Sequence, residues 1–203
     1  MIQRGNRRQQ VFFSDEDRHF YLCNLRKSCD KYSVKIIAYC LMTNHVHLVL
    51  VPSTWESLAL AVGETHKNYT KTINKRQKWR GYLWQGRFLS FILGEMYFWT
   101  VVRYVELNPV RAGIVDHAQD YCWSSARAHV GLMKDTYLDP VELLPEWGSI
   151  LKRDLSSDEL QKIRLCCSSG RPLGTQRFLD MLAVEHGIDW RPKKRGPKVR
   201  GKI

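Results

Sequence analysis

A membrane-spanning stretch is missing from this sequence, because charged or polar residues interrupt every apolar run well before the 18 residues that a transmembrane helix needs. The first eight residues contain three arginines where a signal peptide would carry an apolar segment. These absences exclude a membrane partner and predict a cytoplasmic protein.

Cysteines in metal-binding or disulfide patterns are also missing. The six cysteines are scattered, with no C-x-x-C motif and no cysteine–histidine spacing typical of a zinc site. We therefore expect neither a disulfide scaffold nor a structural zinc domain. Reduced thiols, as in other cytoplasmic proteins, are favoured.

Acidic residues are scarce, since 20 Asp and Glu stand against 32 Lys and Arg, for a net charge of +12. Such a charge favours polyanions and makes nucleic acid the leading candidate partner. Seven of the basic residues and no acidic residue lie in 191–203, which has only two apolar side chains outside its prolines. This tail cannot bury enough surface to offset its ordering entropy, so we expect a disordered basic arm.

The order of the predicted helices and strands indicates an α+β fold with an antiparallel sheet. Hydrophobic residues make up 44% of the chain, enough for a sizeable core. The predicted elements are a strand at Ile2–Arg4, a helix from an N-cap at Ser14 to about Asp30, a hairpin of Val34–Met42 and His45–Val51, a helix at Trp55–Lys75, a strand or bent strand pair at Tyr82–Leu93, and a helix at Glu95–Asn108. This order is typical of split βαβ folds. We expect a main domain over residues 1–130, a small helical extension over 131–190 with helices at Ser156–Cys167 and Thr175–His186, and the tail over 191–203.

The motif Met42-Thr-Asn-His-Val-His-Leu48 places two imidazoles on one strand. Side chains at i and i+2 of a strand share a face about 7 Å apart, so His45 and His47 could chelate one cation. The same spacing also fits two polar residues that alternate on a solvated sheet face.

A second motif places a phenol and a carboxamide one helical turn apart. If Glu95–Asn108 is a helix, Tyr104 and Asn108 lie about 6 Å from each other on one face, whereas a strand would separate them by about 13 Å. Together with the two histidines, the Asn108 amide oxygen would form an incomplete ligand set for Mg²⁺ or Mn²⁺, with positions open for a phosphate oxygen and water. A phenol beside that phosphate could attack phosphorus and form a phosphotyrosine. Tyr104 alone also fits a core aromatic.

These motifs, taken with their neighbours, resemble those of the REP-associated tyrosine transposases, a single-tyrosine branch of the HUH endonuclease superfamily. The matching stretches are Gln3-Arg-Gly-Asn-Arg-Arg-Gln9, Met42-Thr-Asn-His-Val-His-Leu48, Leu83-Trp-Gln-Gly-Arg-Phe88, Tyr104-Val-Glu-Leu-Asn-Pro-Val-Arg-Ala-Gly-Ile-Val115, Gly170-Arg-Pro-Leu-Gly174 and Pro192-Lys-Lys-Arg-Gly196. The resemblance implies a ferredoxin-like sheet that carries the H-x-H motif, with Tyr104 as nucleophile and His45, His47 and Asn108 as ligands of a divalent metal. Related insertion-sequence transposases have glutamine where this chain has Asn108.

The resemblance further implies the substrate and the reaction. The substrate is single-stranded DNA folded into a REP-type hairpin with a short guide sequence at its 5′ foot. Cleavage leaves a 5′-phosphotyrosine and a free 3′-hydroxyl, and reversal of the step with another end transfers the strand without ATP. We expect a monomer associated with the nucleoid, although relatives from insertion sequences form dimers.

Candidate DNA contacts are basic residues near the motifs. They comprise a cluster at the start of the chain, two isolated arginines and four residues of the tail, namely Arg4, Asn6, Arg7 and Arg8, then Arg87 and Arg111, then Lys193, Lys194, Arg195 and Lys198. The arginines at the start of the chain are equally consistent with solvated surface residues.

Two other functions compete with the enzyme. A decayed relative could bind hairpin DNA or RNA without cleaving it. An unrelated metal hydrolase could use the two histidines with Asp116 or Glu106 and an activated water, and it would leave no covalent adduct.

Overall fold

An antiparallel sheet forms the centre of the computed structural model, which describes residues 1–188 and Trp190. The strands are β1 (Ile2–Arg4), β2 (Val34–Met42) and β3 (His45–Pro52). They lie in the order β1–β3–β2. The predicted α+β class, its antiparallel sheet and these three strands are confirmed. The predicted basic arm over 191–203 lies outside the described residues.

The predicted hairpin makes β3 the central strand. A two-residue turn joins Met42 to His45, and β3 pairs with β2 on one side and with β1 on the other. In the β1 pairing, Arg4 lies opposite His45 and Ile2 opposite His47. Because a central strand is held by hydrogen bonds on both edges, the two histidines stand on the most constrained backbone of the sheet.

The segment Tyr82–Leu93 does not form a regular strand, so that prediction is wrong. It follows the outer edge of β1 but pairs with it only in places, and around Gly86 three of its residues oppose a single residue of β1. Such a bulge interrupts a ladder and turns side chains out of it. The backbone bonds run between Asn6 and Leu83, Gln85 and Arg4, and Leu89 and Ile2.

In residues 1–188, eight α-helices pack around the sheet or beside it, and short 3₁₀ turns lie at Asn6–Arg8 and Ala118–Asp120. They are α1 (Asp15–Lys31), α2 (Trp55–Gln77), α3 (Glu95–Glu106), α4 (Asn108–Arg111), α5 (Ala126–His129), α6 (Trp147–Leu151), α7 (Ser157–Ser169) and α8 (Gln176–His186). The predicted N-cap at Ser14 is confirmed, since its side chain takes part in a capping box. At the start of α8, the Thr175 hydroxyl accepts a bond from the Phe178 N–H.

The sheet is covered on both faces. His47 contacts Tyr104 of α3, so α3 packs on the face that carries the histidines. Val46 and Leu48 point to the opposite face and are equally buried. Helices α1 and α2 pack against each other and against the strands. The residues of β3 are therefore enclosed, apart from its two ends.

The helical extension shares the core of the sheet. Trp147, Leu151, Ile163 and Leu173 are buried in the same hydrophobic cluster as the strands. Burial of large apolar side chains is the main source of stability in a core, so α6 and α7 are held firmly against the rest of the protein.

The structure also bears on the membrane-spanning segments and the cysteines discussed above. No helix in the described part of the chain is long and apolar enough to cross a membrane. Within that same part, all six cysteines carry free thiols, and Cys29, Cys40 and Cys166 are buried.

Candidate active site

The two histidines of β3 face the phenol of α3. The ring centroids of His45 and His47 lie 4.9 Å apart, and those of His47 and Tyr104 lie 5.9 Å apart. The strand thus presents both imidazoles on one face, as the H-x-H spacing predicts. The alternative interpretation, in which both histidines lie on a solvated face of the sheet, is wrong for His47, because this residue is only 4% exposed.

The hydrogen bonds of Asn44 determine which nitrogen of His45 is available. The Asn44 side-chain N–H donates to the Arg8 carbonyl over 3.0 Å, so its Oδ1 is turned towards His45. His45 Nδ1 lies 2.6 Å from that oxygen. Because an amide oxygen can only accept, Nδ1 carries the hydrogen and the lone pair is on Nε2. This tautomer suits a metal ligand.

Both imidazoles are neutral at neutral pH. Burial lowers the pKa of His45 to about 4, and the nearby positive charge of Arg4 adds to this effect. Burial also holds the pKa of His47 well below its usual range, with further contributions from His45, the N-terminal amino group, Arg111 and Arg4. Neutral imidazoles keep their lone pairs for a metal ion.

Arg111 stacks on the phenol. Its guanidinium carbon lies 4.1 Å from the centroid of the Tyr104 ring, and its Nη2 donates to the Tyr104 carbonyl over 2.8 Å. Burial raises the pKa of Tyr104, and the neighbouring Cys167 raises it further, while Arg111 and Arg164 oppose the rise. The phenol is therefore protonated at rest, next to cations that favour its anion.

Asn108 stands where α3 ends. The predicted helix runs to Asn108, but α3 ends two residues earlier, at Glu106. In a continuous helix the Val105 carbonyl would accept a hydrogen bond from the N–H of residue 109, and Pro109 has no N–H. The Asn108 side-chain N–H group supplies it, donating to the carbonyls of Tyr104 over 3.0 Å and of Val105 over 3.1 Å. The amide oxygen has no hydrogen-bond partner within the described residues, and it remains available as a ligand.

A cavity of about 550 Å³ unites these side chains. It contains all four predicted catalytic and metal-binding residues and two of the predicted DNA-binding arginines, namely His45, His47, Tyr104, Asn108, Arg4 and Arg87. Gln3, Gln85 and Gly86 also line it, and a bond of 2.8 Å from the Gln3 amide to the Gly86 carbonyl holds the bulge beside β1. The irregularity of segment 82–93 thus brings Arg87 to the site.

The other predicted DNA contacts lie elsewhere. Arg7 and Arg8 are exposed and outside the cavity, and Asn6 does not line it either. Arg111 stacks on a face of the Tyr104 ring and does not line the cavity. The predicted contacts Lys193, Lys194, Arg195 and Lys198 lie outside the described residues.

Residues of the helical extension also line the cavity, and sequence reasoning missed them. They are Arg164, Cys167 and Ser168 of α7. Their i, i+3, i+4 spacing indicates a shared helix face. Nothing in the sequence, however, tells which face of this helix turns towards the histidines, since that depends on the packing of α7.

The carboxylates of the hydrolase hypothesis are not at the site. Glu106 is fully buried, where it accepts hydrogen bonds from Ser125 Oγ over 2.5 Å and from Trp147 Nε1 over 2.8 Å and lies 2.6 Å from His129 Nδ1. Asp116 is exposed and outside the cavity. No group of three or more His, Cys, Asp and Glu residues is arranged around a metal position in residues 1–188 and 190. Among the predicted ligands, Asn108 is the one that adds an oxygen donor to the two imidazoles at this cavity.

Comparisons with known proteins identify the family and a similar fold. The sequence model of a family described as "Transposase IS200 like" matches residues 1–108. The fold is similar to the solved structure of a REP-associated tyrosine transposase bound to a REP hairpin, with a TM-score of 0.55 and 20% sequence identity over 77% of this chain and 86% of that chain. No curated protein sequence matches the chain significantly.

Proposed function

The chain belongs to the IS200-like transposase family, and from this premise we propose that it is a metal-dependent single-strand DNA endonuclease and strand transferase with Tyr104 as its nucleophile. One observation carries the proposal: two neutral imidazoles, a buried phenol and an amide oxygen that has no hydrogen-bond partner in the described part of the chain line one cavity together with Arg4 and Arg87. The combination provides a nucleophile and donors for a metal ion, which are the groups that metal-dependent cleavage requires.

The residues of the cavity fit a divalent cation. His45 Nε2, an imidazole nitrogen of His47 and Asn108 Oδ1 would hold Mg²⁺ or Mn²⁺, because nitrogen and oxygen donors of this kind suit these ions and the set leaves positions open. When bound, the cation polarises the scissile phosphate and offsets the charge of the transition state. Asn44 contributes by holding His45 in the required tautomer.

Tyr104 performs the covalent step in this proposal. Its phenolic oxygen forms a bond to phosphorus, the bond from phosphorus to the 3′ oxygen breaks, and the phenolic proton is balanced by protonation of the leaving 3′ oxygen. The result is a 5′-phosphotyrosine and a 3′-hydroxyl. The Arg111 guanidinium, stacked on the ring, favours the anionic form of the nucleophile as the proton departs.

Reversal of the step explains strand transfer. A different 3′-hydroxyl attacks the phosphotyrosine, and the phenol leaves. The phosphodiester energy is kept in the covalent bond, so ATP is not required. A single chain lines the cavity with all four residues of the proposed site, so the proposed reaction needs no residue from a partner.

The proposed substrate is hairpin DNA with a short single-stranded guide at its 5′ foot. The similar solved transposase is bound to a REP hairpin, and this supports the same class of ligand here. Arg4 and Arg87 at the cavity would contact the phosphates or bases of the strand that enters it.

The test of the proposal is the detection of a covalent adduct. The full chain is incubated with a hairpin oligonucleotide labelled at its 3′ end, because the 5′-phosphotyrosine retains the 3′ part of the strand, and with Mn²⁺ or Mg²⁺, and the products are separated on a denaturing gel. We expect a labelled protein band that disappears with protease and with EDTA in the reaction. Cleavage without a protein-linked product would favour a hydrolase, and tight binding without cleavage would favour a decayed binding protein.

The tail should add affinity through charge. If the seven basic residues of 191–203 all contact single-stranded phosphates, deletion of this segment reduces the slope of log K against log[salt] by about 5. Fluorescence anisotropy of the oligonucleotide at several salt concentrations measures the slope. An unchanged slope would remove Lys193, Lys194, Arg195 and Lys198 from the interface.

A further inference from the structure

Helix α7 brings a cation to the proposed active site from a part of the chain that the family match does not reach. The matched region ends at residue 108, whereas α7 spans Ser157–Ser169. Arg164 lines the same cavity as His45, His47 and Tyr104. Nothing in the mechanism above uses this residue.

Hydrogen bonds in the first turn of α7 fix the position of this helix relative to Tyr104. Arg103, the neighbour of Tyr104 in α3, donates from Nη2 to both carboxylate oxygens of Glu159 over 3.1 Å. Glu159 also accepts bonds from the N–H and hydroxyl groups of Ser156, which caps α7. The start of α7 is thus tied directly to the helix that carries Tyr104.

The end of α7 is anchored to the segment that leads into α3. Gly170 terminates the helix in the left-handed conformation, with φ of 71°. Three residues later, the Leu173 N–H donates to the Ile92 carbonyl, and the Leu173 carbonyl accepts from the Gly94 N–H, both over 2.8 Å. Because both of its ends are attached next to α3, α7 holds Arg164 at a set place beside the cavity.

Arg164 supplies a charge that no carboxylate neutralises within the described residues. None of the ion pairs found in this part of the chain involves it. Burial raises the pKa of the adjacent Cys167 thiol, so that this neighbour stays uncharged. Arg164 and Tyr104 line the same cavity, so this positive charge faces the space that a strand attacked by the phenol would occupy.

We infer that Arg164 forms a phosphate-binding position for the DNA strand in the cavity, on a wall separate from the one formed by Arg4 and Arg87. The ligand is a backbone phosphodiester of the single strand, which Arg164 would bind through charge-assisted hydrogen bonds. The inference rests on the proposed function, because it assumes that a DNA strand enters this cavity. It assigns a role in DNA binding to the helical extension.

The experiment measures binding in a Tyr104→Phe background, where cleavage cannot distort the equilibrium. A labelled hairpin oligonucleotide with a single-stranded 5′ foot is titrated with the full chain at several salt concentrations, with Mg²⁺ present throughout. We expect Arg164→Ala to raise Kd by about tenfold, since a charge-assisted contact is lost. The salt slope should fall by about 0.7, the value for one phosphate of a single strand.

Two further variants separate this site from a general effect of charge. Arg153→Ala removes an exposed arginine of the same extension that does not line the cavity, and it should leave the salt slope and Kd nearly unchanged. Arg164→Lys keeps the charge but not the planar fork, so it should restore the salt slope and only part of the affinity. Thermal melting checks that Arg164→Ala is folded, as expected for an exposed side chain.

The outcomes separate the inference from the proposed function. If Arg164→Ala binds like its parent, or loses no more than Arg153→Ala, the inference is overturned even when the wild-type chain forms the covalent adduct. Failure of the wild-type chain to form any adduct would overturn the proposed catalytic function. A specific loss with Arg164→Ala would then still place DNA at α7.

Discussion

Tyr104→Phe should eliminate the protein-linked DNA product and reduce cleavage by on the order of 10³-fold or more, because the atom that attacks phosphorus is removed. The phenyl ring keeps the packing of the native side chain, which is 9% exposed and lies between His47 and the Arg111 guanidinium. Folding and DNA binding should therefore stay close to wild type. The measurement is a denaturing gel for the adduct, with anisotropy for binding.

Tyr97→Phe is the matched control for this variant. Tyr97 lies in the same helix, is partly buried and does not line the cavity. It should retain full adduct formation. A labelled protein band that survives Tyr104→Phe would show that another residue is the nucleophile, and peptide mapping of the adduct would identify it.

His45→Ala should reduce cleavage by about 10²-fold or more, since it removes one of the three donors that would hold the cation. Its side chain is only partly buried and makes one hydrogen bond, to Asn44, so the loss of stability should be small. Cleavage is measured over a range of Mn²⁺ concentrations, and thermal melting reports the fold. A partial return of activity at high Mn²⁺ would support weakened metal binding as the cause.

His117→Ala provides the comparison for the histidine variant. His117 is exposed, and it does not line the cavity. Its loss should leave the rate and the metal dependence unchanged. Wild-type cleavage by His45→Ala, or cleavage by the native chain in EDTA, would contradict a role of this imidazole in binding the metal.

Local signals were sufficient for most of the secondary structure. Capping residues such as Ser14 mark helix starts, because their side chains bond to the first free N–H groups. The two β-rich runs on either side of Thr43 and Asn44 predict the hairpin, and the structure pairs them as antiparallel neighbours. The shared face of His45 and His47 follows from the same periodicity.

Local signals failed where a segment depends on a distant partner. Tyr82–Leu93 has the composition of a strand, but its pairing with β1 is interrupted by a bulge that only the neighbouring backbone reveals. The pattern predicts a helix that continues to Asn108, because Asn108 continues the helical spacing, whereas α3 ends at Glu106. The Asn108 side-chain N–H donates instead to the Val105 carbonyl, which has no backbone donor because Pro109 lacks an N–H.

The sequence by itself determined the three strands and the long helices, the shared face of the two imidazoles on one strand and the single turn that separates Tyr104 from Asn108, because these depend on the periodicity of the local backbone. Only the tertiary structure decided that the phenol meets the imidazoles, that Glu106 is buried in bonds with Trp147 and Ser125, and that α7 turns Arg164 to the cavity. Those arrangements join residues far apart in the chain. They result from how apolar faces pack against one another, and no spacing within a single segment encodes that.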